Sequence, residues 1–160
     1  MSCHFYKISL PPPGLSSWTK LRLNWIAPTK TAVVNPGETA TVLLGPLADG
    51  ASDTLVIQIP LSPTTYYLVE NRQGIGVDEN LPGSGVLVLY ADDTVAECRR
   101  GEAPVKVVDA DPSVPQLESA TFDIGQDQRD TFVDEEHNIT IKLLEKRGYS
   151  YEILITTAQE

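Results

Sequence analysis

The residues most suggestive of chemistry in this 160-residue chain are Glu70-Asn71-Arg72, three polar residues closing an apolar run and followed by a glycine- and proline-rich loop with Asp78, Pro82, Gly83 and Gly85. Polar groups there need partners if buried. Glu70 and Arg72 would either line a binding or catalytic cleft or form an ion pair clamping the loop that follows. A lone carboxylate and guanidinium define no reaction without a metal, nucleophile or histidine close by in sequence. The expected role of Glu70, Asn71, Arg72, Asp78, Pro82, Gly83 and Gly85 is therefore a structural loop clamp, with no catalytic residue. One enzymatic alternative pairs Glu70 with an acid such as Asp92 for glycoside hydrolysis, which requires carboxylates within about 10 Å of each other.

Other catalytic equipment is sparse. The two histidines, His4 and His137, are far apart and no H-E-x-x-H surrounds them, so no zinc site assembles from sequence signals. No G-x-S-x-G elbow or phosphate-binding glycine loop occurs, and Gly74-Ile75-Gly76 and Gly83-Ser84-Gly85 read as chain reversals. Cys98 stands beside Arg99 and Arg100, which would lower a thiol pKa, but a nucleophile also needs a positioned base. Cys3 and Cys98 are read as free thiols, a single long-range disulfide being the alternative.

Acids outnumber bases 22 to 12, a net charge of -10, which disfavours nucleic-acid partners and anionic membrane surfaces. Oxygen ligands for calcium abound on the loops, and Asp123, Asp127 and Asp130 are the weak candidates. Their spacing does not match an EF-hand, so the expected cofactor is none, with calcium as the alternative. Asn138-Ile139-Thr140 is a formal glycosylation triplet. No apolar run is long enough to span a bilayer, and the first residues lack the apolar stretch of a signal peptide.

The elements that must position these residues are mostly strands. Short apolar runs closed by Pro, Gly, Asn or Asp predict strands over Phe5–Leu10, Thr39–Leu44, Thr54–Ile59, Tyr66–Asn71, Gly85–Tyr90, Val105–Val108, Ile139–Leu144 and Tyr151–Thr156. Ile139, Ile141 and Leu143 alternate with Thr140 and Lys142, as in a half-buried antiparallel strand. Gly148 supplies the positive φ of a tight turn, making the C-terminal end a hairpin. The continuous apolar runs Tyr66–Val69 and Val86–Tyr90 belong in mid-sheet, covered on both faces. Trp18, Leu21 and Trp25 recur at helical spacing behind Ser16 or Ser17 as N-cap, predicting a short helix; Leu21, Leu23 and Trp25 also fit a strand. Residues 109–136 read as loops around one short strand near Phe122. The expected fold is all-β, a sandwich or partly open barrel of mostly antiparallel strands with one short N-terminal helix. Residues 1–160 form a single domain, with residues 1–26 as a helix-bearing lead-in.

The blocks YYLVENRQ and GVDENLPGSGVLVLY resemble the segment that follows the catalytic domain in secreted metalloproteases of the immune inhibitor A type. LSSWTKLRLNWI resembles the helix leading into it, and VKVVDAD a segment beyond it. The resemblance covers residues 1–135 as ordered blocks, most specifically E-N-R and P-G-S-G. It departs at Asn24, where the family commonly has Gly, and at Leu89-Tyr90, where it has Trp-His. The family's zinc-binding helix has no counterpart here, and Met1-Ser2-Cys3-His4 falls where its methionine turn would lie. The resemblance implies a non-catalytic structural or interaction β-domain of a metalloprotease-like protein, secreted or in the cell envelope. Its partner would be an upstream protease-like catalytic domain or another protein, and residues 1–26 a remnant of that domain. A calcium- or carbohydrate-binding β-sandwich module is the alternative.

Overall fold

The computed structural model describes residues 10–99, 101–125 and 129–158. Nine strands form two open sheets stacked as a β-sandwich. One sheet contains β1 (Thr31–Val33), β3 (Val56–Pro60), β4 (Thr65–Arg72), β5 (Gly85–Asp92) and β6 (Val105–Val108) in the order β1-β3-β4-β5-β6; the other has the order β2-β9-β8-β7, from β2 (Thr39–Leu44), β7 (Thr131–Asp134), β8 (Ile139–Arg147) and β9 (Ser150–Thr157). Every pairing is antiparallel except β1 with β3. Two separate open sheets make this a sandwich and not a barrel.

Alternation explains the core. Tyr67 and Val69 of β4, Ile57 and Ile59 of β3 and Val86 and Val88 of β5 meet Ile141, Leu143, Tyr151, Ile153 and Ile155 of the facing sheet. Each fully buried aliphatic side chain contributes about 1.5–3 kcal/mol. The opposite face of β3, β4 and β5 is buried too: Val56, Leu68 and Leu89 form a second apolar cluster with Ile26, Leu47 and Leu55, onto which Trp18 and Leu21 pack. That outer layer comes from α1 (Ser17–Arg22), Ile26 after it, and Leu47 and Leu55 of the β2–β3 connection, which is why β4 and β5 read as apolar on both faces. Among the described residues, no helix is long and apolar enough to cross a membrane.

The N-cap of α1 is Ser16, whose Oγ accepts from Thr19 N at 3.4 Å. The helix stops at Arg22 because Asn24 takes φ 55° and Trp25 N turns back to Lys20 O at 2.8 Å. Trp25, whose spacing from Trp18 and Leu21 suggested one helix, therefore lies beyond it and is 67% exposed. The β8–β9 hairpin closes through Gly148 at φ 62°, a conformation only glycine adopts cheaply, and a register shift between Leu143 and Glu145 bulges β8.

Three further differences stand out. The strand expected from Thr54 starts at Val56 and includes Pro60, whose missing donor suits a strand end. The strand expected near Phe122 is a single bridge, Val86 paired with Phe122. Strands β1 and β7 were not expected at all. Most of the predicted Phe5–Leu10 strand lies outside the described residues, as do Cys3, His4 and the segment resembling a methionine turn.

Candidate functional site

Because side chains alternate along β4, Glu70 and Arg72 share its outer face with Leu68, while Asn71 turns inward with Tyr67 and Val69. On the outer face they meet the lead-in. Glu70 Oε2 accepts from Ser17 N at 2.5 Å, and Glu70 Oε1 lies 3.2 Å from Arg72 Nη1. Arg72 Nη2 donates to Asp78 Oδ1 at 2.8 Å and to Gly14 O at 2.9 Å, and Nη1 reaches Leu15 O at 3.4 Å. Asp78 Oδ1 also accepts from Gly14 N at 2.8 Å. The approach is close at Gly14: a Cβ would stand 3.0 Å from Val77 and 3.1 Å from Asp78.

Glu70, Arg72 and Asp78 are 1%, 5% and 1% exposed, so the ion pairs lie in low dielectric and their geometry has to offset a large desolvation cost. Arg72 Nε and Ser17 Oγ are buried without a protein partner, each a further cost of about 1–3 kcal/mol. Nearby, Lys20 Nζ donates to Leu47 O at 3.0 Å. Burial, followed by the charge of Arg72, pushes the Lys20 pKa down, partly opposed by Asp78 and Glu70. A carboxylate, a guanidinium and a second carboxylate thus hold the backbone of residues 14–17 against the sheet and fix the loop after β4 through Asp78. The clamp reaches further than the glycine loop expected from sequence.

Asn71 performs the inward counterpart. Its Nδ2 donates to Leu44 O at 3.2 Å and to Tyr149 O at 2.7 Å, tying β4 to the facing sheet, while its Oδ1 accepts from Gln73 Nε2 at 2.8 Å. Of the two loop glycines expected in the clamp, Gly85 is the constrained one: at φ 151°, a Cβ would lie 2.6 Å from Phe122 O and 2.8 Å from Thr121 Cβ. Gly83 has no positive φ, and a Cβ there would meet Glu118 O at 3.6 Å and Thr121 Oγ1 at 3.8 Å, ordinary contacts; Pro82 is exposed.

The Glu70–Asp92 pair fails on geometry. The β4–β5 ladder sets Glu70 against Leu87 and Thr65 against Asp92, so about five strand positions, roughly 17 Å, separate the two acids. Asp92 instead accepts from Thr94 Oγ1 at 2.6 Å and Thr94 N at 2.9 Å, bonds that hold it below the usual carboxylate range.

Two aromatic–carboxylate pairs were invisible in sequence. Tyr67 donates its hydroxyl to Asp134 Oδ2 at 2.9 Å, and His137 Nδ1 lies 2.7 Å from the same oxygen. His137 borders a cleft of about 340 Å³ with Pro36, Pro60, Leu61, Ile139, Thr157 and Ala158. Among the described residues lining that cleft Thr157 alone carries a hydroxyl, and its Oγ1 is engaged by Asn35 O at 2.7 Å and Glu38 O at 2.9 Å. In the second pair Tyr151 donates to Asp123 Oδ1 at 2.5 Å, which also accepts from Ile124 N at 2.7 Å, with Lys146 Nζ 3.8 Å from Oδ2. Burial, then the bond to its carboxylate, pushes each tyrosine pKa up. Of the calcium candidates, Asp123 is thus engaged by protein groups, Asp130 accepts from Thr131 Oγ1 at 2.8 Å, and Asp127 lies outside the described residues. Among the described residues, no three His, Cys, Asp or Glu side chains converge as a metal site would require. Cys98 is exposed.

The fold and this buried clamp define a two-sheet β-domain with a docked helical lead-in. No family model matches the chain, and no curated protein matches it.

Proposed function

We propose that the chain is a non-catalytic scaffold and interaction domain of a metalloprotease-like protein, secreted or held in the cell envelope. Its partner would be an upstream protease-like domain or another protein. The family attribution rests on the resemblance of the E-N-R and P-G-S-G blocks. The non-catalytic role rests on one observation: Glu70, Arg72 and Asp78, the most site-like residues of those blocks, are buried and spend their bonds on backbone atoms of Gly14, Leu15 and Ser17. Groups so engaged carry load between the lead-in and the sandwich and offer nothing to a substrate.

The test is hydrolysis of casein and of a quenched peptide library by the full chain, with zinc added and with zinc chelated. Turnover should equal the buffer blank in both arms. Metal-dependent turnover that co-elutes with the folded chain overturns the proposal.

A further inference from the structure

We infer that the edge of β2 turned away from β9, which no described strand covers, is a docking site for an extended segment of another protein, added as a new strand and carrying basic residues at its ends. The inference does not rest on the protease-like reading, since it uses only the sheet edge. In the β2–β9 ladder Thr157 N donates to Glu38 O at 3.0 Å. The antiparallel alternation then directs the N–H and C=O of Ala40, Val42 and Leu44 toward β9 and those of Thr39, Thr41 and Leu43 away from it. Gly45, the next outward position, confirms the parity: its N–H points off the ladder and is taken by Thr54 O at 2.9 Å. Thr39, Thr41 and Leu43 have no such partner among the described residues. Such a row calls for one occupant, an extended backbone.

The other edges are protected. Strand β1 has three residues, β6 carries Lys106, and β7 is four residues long with Asp130 before it and Asp134 at its end. Strand β2 is Thr-Ala-Thr-Val-Leu-Leu, without charge, proline or bulge. Beside it a groove of about 540 Å³, lined by Ala32, Thr41, Leu43, Gly45, Ala51 and Asp53 among others, would receive side chains of an added strand.

Charge selects the partner. From Thr31 to Thr54 there is no Lys or Arg, and the charged residues are Glu38, Asp49 and Asp53. Lys30, just before, is tied to Gly50 O at 2.6 Å and Ser52 O at 3.0 Å. Acids at both ends of the edge attract a segment with Lys or Arg at its ends, whereas a second copy of this chain brings another net -10 to the same place.

The experiment uses the isotope-labelled full chain and two capped peptides, KKTVTVTVKK and EETVTVTVEE. The cationic peptide should slow amide exchange at Thr39, Thr41 and Leu43 by about tenfold or more, and the acidic one should not. Thr41→Pro removes an outward donor and no bond of the β2–β9 ladder; at an edge position it should keep the unfolding midpoint and lose the peptide. Leu43→Lys, at an exposed position, should weaken the cationic peptide by about tenfold and supports the same conclusion if Thr41→Pro misfolds. No slowing at about 1 mM cationic peptide overturns the inference, since that concentration detects even weak strand addition. Equal binding of the two peptides, or binding unchanged in both variants, also overturns it. So does self-association of the chain that protects the same amides, which would make the occupant a second copy.

Discussion

Replacing Arg72 with Met keeps the aliphatic stem and removes the guanidinium from between Glu70 and Asp78. Two buried carboxylates then lose their counter-charge, and Gly14 O and Leu15 O lose their donors. Breaking a buried pair by deleting one partner costs about 3–5 kcal/mol. For a chain of this size that corresponds to about 6–20 °C in the thermal midpoint. Urea unfolding gives the free energy. The fate of the lead-in is read in a Trp25→Phe background, which leaves Trp18 as the sole tryptophan. Trp18 packs on the outer cluster under the Arg22 guanidinium, 4.7 Å from its ring centroid, so its emission should shift to the red when residues 14–17 come free. The triple replacement Glu70→Leu, Arg72→Met, Asp78→Leu should be less harmful than Arg72→Met alone, because it removes the buried charges together. The exposed Arg147, paired with Glu145 and Glu152, provides the control, and Arg147→Ala should leave the midpoint unchanged. A cost below about 1 kcal/mol for Arg72→Met, in the range of a surface pair, would refute the clamp.

Gly85→Ala should destabilise by at least about 1–3 kcal/mol from overpacking against Phe122 O, while Gly83→Ala should stay within about 0.5 kcal/mol; paired urea melts decide this. Tyr67 and Tyr151 have pKa values raised above their ordinary 10.0. The folded state therefore keeps protons that the unfolded chain releases above that pH. Their contribution is intact below pH 10 and falls as pH rises further, and the double variant Tyr67→Phe, Tyr151→Phe should flatten the alkaline arm of the stability curve. Calcium at about 5 mM should leave the thermal midpoint unchanged, since Asp123 is already bonded to Tyr151 and Ile124; a rise with calcium would reinstate the ion-binding alternative.

What could be read in advance followed from local pattern. The alternation of Ile139, Ile141 and Leu143 and the Ser16 cap are statements about neighbouring residues, and the structure contains the strand and the helix they imply. Strand β1 escaped notice because three residues cannot display a period, and its pairing with β3 depends on residues 25 positions away. Strand β7 lies in an acid-rich stretch where Phe132 is the one large core residue. Grouping Asp78 with Glu70 and Arg72 was possible from sequence, but their backbone partners Gly14 and Ser17 lie 64 and 53 residues from the acids that hold them. No spacing signal crosses such distances. The same holds for Tyr67, which meets Asp134 only once the sheets stack.

The polar triplet also solves a problem that the apolar run creates. A strand buried on both faces, as Tyr66–Val69 is, gains almost as much apolar burial in a register shifted by one residue, so hydrophobicity alone fixes its pairing weakly. Glu70-Asn71-Arg72 removes that freedom. In the observed register both charges face residues 14–17 and Asp78, where backbone donors and acceptors await them, and the neutral amide faces the core, where Leu44 O and Tyr149 O await it. A one-residue slip would drive a carboxylate and a guanidinium into the aliphatic space among Ile57, Ile153 and Tyr151. The desolvation penalty there is several kcal/mol per ion, and the carbonyls of Leu44 and Tyr149, placed for one neutral amide, would offset only part of it for the guanidinium and none of it for the carboxylate. Polar residues at the end of a central strand are usually read as a site; here their alternation, charge out and amide in, sets the order in which lead-in, first sheet and second sheet stack.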